Sequence, residues 1–315
     1  MRVNREKSSG KFKIGLAGCG VVACGVAELL RDYADQFSID VVLVRDLRKS
    51  RADIFNGIPF VDDLSSFFDH QPDIVIDVLS SGDAGHELTR RALEKGIHVV
   101  SANKQALADD LVGLHKLASE NDAVLAYSAS VGGGTPMIET VRESLVTGVT
   151  ESVEAVVNGT VNFILTELAT GADFDNAVKT AQDAGFAEAD PSADLSGADA
   201  VAKAKILAWN AFGKIIEAPI SCEELDDNTR KKIEDEGGVW RQLTEISLDE
   251  NGTPQASVKF RSIAEGDFFW DLNAERNAIK VYRRDGEVRE ALGRGAGAIP
   301  TGRSILGDLL TIADT

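Results

Sequence analysis

Short apolar runs alternate with amphipathic segments between residues 13 and 127 of this chain. The apolar runs, rich in β-branched residues, lie at 13–17, 40–45, 74–79, 97–101 and 123–127. The helical patterns lie at 21–31, 84–95 and 108–121. A strand that is apolar throughout is buried on both faces, which requires a parallel sheet covered by helices on either side. The alternation therefore predicts a doubly wound α/β domain.

A glycine-rich segment, Gly18-Cys19-Gly20-Val21-Val22-Ala23, follows the first of these runs. It matches G-x-G-x-x-G/A and lies between a predicted strand and a predicted helix, as a dinucleotide-binding turn requires. Gly18 makes the tight turn, Gly20 lets the backbone approach a pyrophosphate, and free N–H groups at the helix N-terminus bind the phosphates. We expect a Rossmann-type site in which Gly18, Gly20, Val21 and Val22 contact the cofactor. The alternative is that these glycines only make a turn.

The end of the second predicted strand bears on the choice between NAD and NADP. An acidic residue there binds a ribose 2′-hydroxyl, whereas a basic residue binds a 2′-phosphate. This chain has Arg45 followed by Asp46, and then Arg48 and Lys49. The pattern favours NADP, with Arg45 as the contact, and leaves NAD open, because Arg48 and Lys49 also suit a solvated loop.

The pattern changes after the segment Gly132–Pro136. Helical stretches then mix with scattered, polar-interrupted strands, which indicates a second α+β domain. We expect a flexible tail at 1–11, the nucleotide domain at 12–131, the second domain at 132–292, and a helical segment at 293–315 that returns to the nucleotide domain.

Composition excludes several classes of function. The net charge of -18 argues against binding to nucleic acid or an anionic membrane. The chain has no apolar stretch of about 18 residues and no signal-peptide pattern at its start. Three cysteines without a dense pattern indicate reduced thiols rather than a disulfide scaffold. The sequence predicts a soluble cytoplasmic protein.

Hydride transfer to or from a nicotinamide leaves one proton to move, so such an enzyme needs an acid/base group. The four histidines form no zinc-like cluster, and lysine is the alternative. Lys104 ends a predicted strand at the sheet edge where α/β domains bind ligands. Lys203 lies four residues after Asp199 in a helix that is otherwise apolar.

Structural explanations for these residues are also open. Lys104 in a tight turn suits the protein surface. Asp199 and Lys203 suit a local ion pair of about 0.2–0.5 kcal/mol, and Ser196 with Asp199 resembles a capping box.

Longer motifs carry a resemblance over residues 13–313. These are VVSANKQALA, SVGGGTPMIET, NGTVNFIL, GFAEADPSADLSGADAVAKAKILA and the closing GAGAIPTGRSILGDLL. With them the chain resembles homoserine dehydrogenase, in a short form without an appended regulatory domain. The resemblance implies an NAD(P)-dependent homodimer of the aspartate pathway that interconverts L-homoserine and L-aspartate 4-semialdehyde.

The resemblance also assigns residues. It implies that Lys203, Lys104 and Asp199 are catalytic, with either lysine as the proton carrier and Lys203 preferred. It places further residues against the ligands: Glu188, Asp194, Thr160 and Gly159 at the substrate, and Ser80, Ser101, Asn103, Lys104 and Gly297 at the cofactor.

Some positions depart from the family pattern. Many members hold a monovalent cation with an acidic residue where this chain has Ser128, so only the carbonyls of Val131 and Gly133 are expected ligands here. Ala193 replaces a common polar residue. These departures leave two alternatives open: a related oxidoreductase of another amino- or hydroxy-acid, and a non-catalytic NADP-binding sensor.

Overall fold

The computed structural model describes residues 10–315 and divides into two compact units. The first unit runs to Tyr127 and includes Thr301–Thr315, and the second is Ser128–Pro300. The expected boundary at 292/293 is wrong, because it cuts the last strand of the second unit, Val288–Arg294. Most of the expected tail at 1–11 lies outside the described residues.

The first unit contains six strands and five complete helices. The strands are β1 (Phe12–Ala17), β2 (Phe37–Leu43), β3 (Phe60–Val61), β4 (Ile74–Asp77), β5 (His98–Ser101) and β6 (Leu125–Ala126). The helices are α1 (Val21–Leu30), α2 (Leu64–Asp69), α3 (Gly82–Glu94), α4 (Lys104–Ala108) and α5 (Leu111–Glu120).

The strands form one parallel sheet in the order β3-β2-β1-β4-β5-β6. The strand order reverses between β1 and β4, which is where open α/β sheets bind ligands. The successive residues Ile74, Val75 and Ile76 of β4 are all fully buried, so both faces of this strand are covered. Burial on both faces explains its continuous apolar run and confirms the predicted doubly wound sheet.

The second unit contains the remaining elements, except that only the first three residues of the last helix belong to it. The strands are β7 (Thr150–Val156), β8 (Ser221–Cys222), β9 (Val239–Leu248), β10 (Pro254–Ile263), β11 (Arg276–Arg283) and β12 (Val288–Arg294). The helices are α6 (Met137–Thr147), α7 (Gly159–Ala169), α8 (Phe174–Asp183), α9 (Ser192–Leu195), α10 (Ala198–Phe212), α11 (Asp227–Glu236) and α12 (Ala298–Ala313).

These strands form a mixed sheet in the order β12-β11-β7-β9-β10-β8. Every pairing is antiparallel except that of β10 with β8, which confirms the predicted α+β class. Helices α7 and α10 pack on β9. Val161 and Ile164 of α7 share a core with Trp240 and Phe260 of the sheet.

Glycines fix both ends of α10. Gly197 precedes the helix at φ +77°, and a Cβ there would lie 2.3 Å from the sulfur of Cys222, so only glycine fits. Gly213 ends the helix in the left-handed conformation, as the sequence predicts. The capping box expected from Ser196 and Asp199 is wrong, because the residue before the helix is Gly197 and no side chain caps it.

Gly302, near the start of α12, packs against α1, and both belong to the first unit. A Cβ on Gly302 would lie 3.2 Å from the backbone of Gly25, so the two helices meet at close backbone distance. Residues from both ends of the chain therefore build this unit. Within residues 10–315, no helix is both long enough and apolar enough to cross a bilayer.

Candidate active site

The glycine turn lies between β1 and α1. Gly18 has φ +105°, and a Cβ there would lie 2.8 Å from the carbonyl oxygen of Val78, so the turn requires glycine twice over. Gly20 precedes α1 without a side-chain cap, and no atom lies within 4 Å of where its Cβ would be. The backbone N–H groups at the start of α1 therefore face open space.

The loop after β2 carries the basic residues expected to select the cofactor. Arg45 is exposed, whereas Arg48 pairs with Asp46 at 3.0 Å. Sequence reasoning missed Arg51, whose guanidinium donates to the carbonyl of Asp46 at 2.6 Å. Burial raises the pKa of the Cys19 thiol, and the charge of Arg51 partly opposes that rise. The guanidinium of Arg51 is therefore near enough to the Cys19 thiol of the glycine turn to affect its pKa.

Ser101 and Asn103 lie after β5 but turn their side chains inward. The Ser101 hydroxyl donates to Asp77 at 3.2 Å and is fully buried. The Asn103 amide donates to the carbonyl of Ser81 at 2.9 Å, and its oxygen caps α4. The polar groups of these side chains bond within the protein, and the assignment of both residues to the cofactor stays a prediction. Lys104 follows Asn103 directly at this sheet edge and is the first residue of α4.

This edge of the sheet fits a dinucleotide. Gly20 leaves room at an uncapped helix N-terminus, which attracts a phosphate. Ser80 is exposed at the end of β4, next to the strand-order reversal. Gly297 has φ +120° and lies in the second unit, immediately before α12. Its assignment to the cofactor stays a prediction.

In the second unit, an open cleft of about 340 Å³ lies between α7, α9 and α10. It is lined by Asn158, Gly159, Thr160, Phe186, Asp194, Asp199, Lys203, Glu275, Gly295 and Ala296. The sequence therefore identified five of its ten lining residues: Gly159, Thr160, Asp194, Asp199 and Lys203.

The ammonium group of Lys203 lies between two acceptors. Its Nζ is 2.6 Å from Asp199 Oδ2, one helical turn away, and 2.8 Å from the carbonyl oxygen of Val157. The Asp199 side chain is 6% exposed and that of Lys203 is 13% exposed. The predicted ion pair is therefore present in a nearly buried form, and it opens onto the cleft.

Asn158 is a site residue that sequence reasoning missed. Its amide nitrogen donates to Asp194 Oδ1 at 2.8 Å and to Asp199 Oδ2 at 3.1 Å. Its oxygen accepts the N–H of Val161 at 2.9 Å and caps α7. One buried amide thus joins the start of a helix to both carboxylates. The preference of asparagine for helix N-caps was the available signal, but no helix was expected at 159–169.

The other expected substrate residues have different surroundings. The Thr160 hydroxyl donates to the Phe186 carbonyl at 2.6 Å, which leaves its oxygen to accept, and its assignment to the substrate stays a prediction. Glu188 is exposed and does not line the cleft. Glu275, which sequence reasoning missed, does line it and pairs with Arg294 at 3.7 Å.

The expected cation ligands lie at a glycine-rich turn of the second unit. Val131 is fully buried, and a Cβ on Gly133 would lie 2.3 Å from the carbonyl oxygen of Gly295. Among residues 10–315, no cluster of three or more His, Cys, Asp or Glu side chains has the arrangement of a metal site. Cation binding through backbone carbonyls stays a prediction.

Comparison with known proteins identifies the family. The family model described as homoserine dehydrogenase matches residues 136–310, and that of the homoserine dehydrogenase NAD binding domain matches residues 18–128. Homoserine dehydrogenase from Bacillus subtilis (strain 168) is 31% identical over 96% of this chain and 72% of its own length.

Solved structures agree with this result. A homoserine dehydrogenase from Thiobacillus denitrificans superposes with a TM-score of 0.88 at 30% identity, over 96% of this chain and 73% of that chain. A hyperthermophilic archaeal homoserine dehydrogenase in complex with NADPH gives a TM-score of 0.80 at 25% identity, over 96% and 97% of the two chains. Two family models, a relative and the fold thus agree: this chain belongs to the homoserine dehydrogenase family.

Proposed function

We propose that this protein interconverts L-homoserine and L-aspartate 4-semialdehyde, with NADP as the preferred cofactor and NAD as a possible one. The observation that carries the proposal is the position of Lys203, whose ammonium group lies in a small cleft between Asp199 and the Val157 carbonyl. Such a group suits proton exchange with a carbinol oxygen.

Lys203 is the proposed acid/base group. The nicotinamide, when bound, accepts or supplies the hydride, which leaves one proton to be moved. Two of the three N–H bonds of Lys203 have partners among residues 10–315, and the third can reach a substrate oxygen. Asp199 keeps the ammonium group in place and balances its charge. Lys104, at the start of α4, is retained as a proposed catalytic residue.

Recognition of an amino acid requires groups for its two charges. Asp194 and Glu275 bring carboxylates to the cleft and suit the substrate ammonium. The N–H groups of Gly159 and Thr160, in the first turn of α7, suit its carboxylate. Glu188 is retained as a substrate contact that requires movement of its exposed loop toward the cleft.

The glycine turn, Val21, Val22 and Ser80 are proposed to bind the dinucleotide phosphates and ribose. The preference for NADP rests on basic side chains after β2, where Arg45 is exposed and the charge of Arg51 affects the pKa of Cys19 in the glycine turn. Homodimer formation, a cytoplasmic location and cation binding by Val131 and Gly133 belong to the same proposal.

The alternative substrate, another amino- or hydroxy-acid, is not favoured. It depended on the departures at Ser128 and Ala193. Asp194, the residue after Ala193, still lines the cleft, and Asp199 and Lys203 are paired. The cleft thus keeps the groups that an amino-acid alcohol needs.

The test is oxidation of L-homoserine, followed by the absorbance of the reduced nicotinamide with NADP and with NAD. Lys203→Ala should lower kcat by at least about 10²-fold, the scale for loss of an acid/base group. Lys205→Ala is the matched control, since Lys205 lies on the same helix but not in the cleft lining. Normal turnover by Lys203→Ala would refute the assigned role, and no turnover of homoserine by the unmodified protein would refute the function.

A further inference from the structure

Asp77 is a buried carboxyl group that the proposed reaction does not use. It ends β4, has no exposed surface, and lies beside Ala17 of β1 and Ser101 of β5 in the sheet register. The Leu79 N–H donates to its Oδ1 at 3.0 Å, and the Ser101 hydroxyl donates to its Oδ2 at 3.2 Å.

Each side-chain hydrogen bond that Asp77 makes within residues 10–315 is one that it accepts. The Ser101 hydroxyl donates to Asp77 and itself accepts the Asn103 N–H at 3.1 Å, which orients the hydroxyl proton toward the carboxyl group. These surroundings suit a carboxylate better than a protonated acid. Burial opposes ionisation and raises the pKa of Asp77 to about 6. Asp77 therefore changes between its protonated and ionised forms near pH 6.

The groups packed around Asp77 are uncharged. Ala17 faces it from β1, Ser101 from β5 and Gly85 from α3, and Asn103 faces it from the turn before α4. A Cβ on Gly85 would lie 2.6 Å from Asp77 Oδ2, so α3 packs this closely on the carboxyl group only because residue 85 is glycine.

Asn103 links Asp77 to the edge of the sheet. The Asn103 backbone N–H donates to Ser101, whose hydroxyl donates to Asp77. The Asn103 side-chain amide donates to the Ser81 carbonyl, and its oxygen caps α4. Ser81 begins α3, and Lys104 begins α4. A single buried carboxylate thus fixes two loops that follow neighbouring strands, at the edge where the dinucleotide is proposed to bind.

We propose that Asp77 is a positioning residue for the cofactor site, because its carboxylate holds Asn103 and thereby the loops that carry Ser80 and Lys104. The proposal rests on the cofactor site proposed above and extends it to a residue that does not touch the ligand. Ionised Asp77 keeps both loops in the binding conformation, and protonated Asp77 releases them.

The test compares Asp77→Asn, Asn103→Ser and the double variant. Asparagine keeps the size of Asp77 but presents an N–H₂ group to donors, and serine keeps a cap on α4 but removes the amide. NADPH binding is measured by nicotinamide fluorescence, without homoserine. Each single change should raise the Kd about tenfold, the scale of one charge-assisted hydrogen bond. The double variant should bind no more weakly than the weaker single variant, because both changes break one linkage.

A pH series separates positioning from a general structural effect. The ratio of the Kd of Asp77→Asn to that of the unmodified protein should fall from about ten at pH 7.5 toward one at pH 5, where Asp77 is itself protonated. Titration of the cofactor phosphate affects both proteins and cancels in the ratio. A ratio independent of pH, multiplicative effects in the double variant, or unchanged binding would each overturn the proposal. Failure to turn over homoserine would refute only the proposed function, since these binding data do not depend on it.

Discussion

Replacement of Asp77 by asparagine should change how stability depends on pH. Burial raises the pKa of Asp77 from 3.8 to about 6. The difference is about two pH units, and each unit corresponds to about 1.4 kcal/mol, so ionisation of this group opposes folding by about 3 kcal/mol. Asp77→Asn has no ionisation at this position and lacks the effect.

The sign follows from the raised pKa. The contribution of Asp77 to the stability of the folded state is fully present below pH 3.8, where the group is protonated both folded and unfolded. It is lost as the pH rises through about 6, where the folded protein must release the proton. Relative to Asp77→Asn, the unmodified protein should therefore gain up to about 3 kcal/mol between pH 7.5 and pH 4.

Urea unfolding of both proteins, at half-unit steps from pH 4 to pH 7.5, measures this difference. The other carboxyl groups are common to both chains, so they cancel in the subtraction. A difference in the free energy of unfolding that stays constant across the range would show that Asp77 does not titrate with a raised pKa. A gain for the unmodified protein toward high pH would show a salt-bridged carboxylate instead, which contradicts the uncharged surroundings described above.

Three further predictions concern the cleft, the cofactor and the backbone. Asn158→Ser keeps a cap on α7 but removes the amide that joins the carboxylates of Asp194 and Asp199. Steady-state kinetics should therefore show kcat lowered about 10- to 100-fold. An unchanged kcat would mean that this bridge is only structural. Arg51→Ala should raise the KM for NADPH about tenfold more than that for NADH, and Arg45→Ala should do so less; equal effects on both cofactors would remove the basis for NADP preference. Ala274→Gly should raise the free energy of unfolding by about 1 kcal/mol, because Ala274 has φ +60°, and thermal denaturation that shows a loss would contradict this.

The first unit was largely predictable because its physical signals are local. Apolar runs buried on both faces, a glycine turn and helical periodicity each depend on neighbouring residues. Two elements of this unit, β3 and α2, were not predicted from the sequence. β3 has only two residues, Phe60 and Val61, and α2 has only six, which is too short for a periodic pattern.

The cleft was predictable only where its contacts are close in sequence. Asp199 and Lys203 are one helical turn apart, and their pairing follows from that spacing. Asn158 reaches Asp199 across 41 positions of the chain, and no pattern along the sequence encodes that contact. Helix α7 itself escaped prediction because it is buried for most of its length and has no clear polar face.

The inward rotation of Ser101 and Asn103 could not be read from the motif that contains them. Serine and asparagine at a sheet edge suit direct contact with a ligand as well as bonding within the protein. Asp77 decides between these roles, and it is an isolated acidic residue in an apolar strand, which sequence reasoning treated as part of that strand.

The close packing of Gly302 on Gly25 has a consequence for synthesis on the ribosome. The second unit is one contiguous insertion, so all its residues emerge before the chain reaches Thr301. The first unit, although its synthesis starts earlier, lacks Thr301–Thr315 until the whole second unit has been made, so Gly302 can meet Gly25 of α1 only then. We expect the second unit to complete its core during translation, and the first unit to complete its core after it.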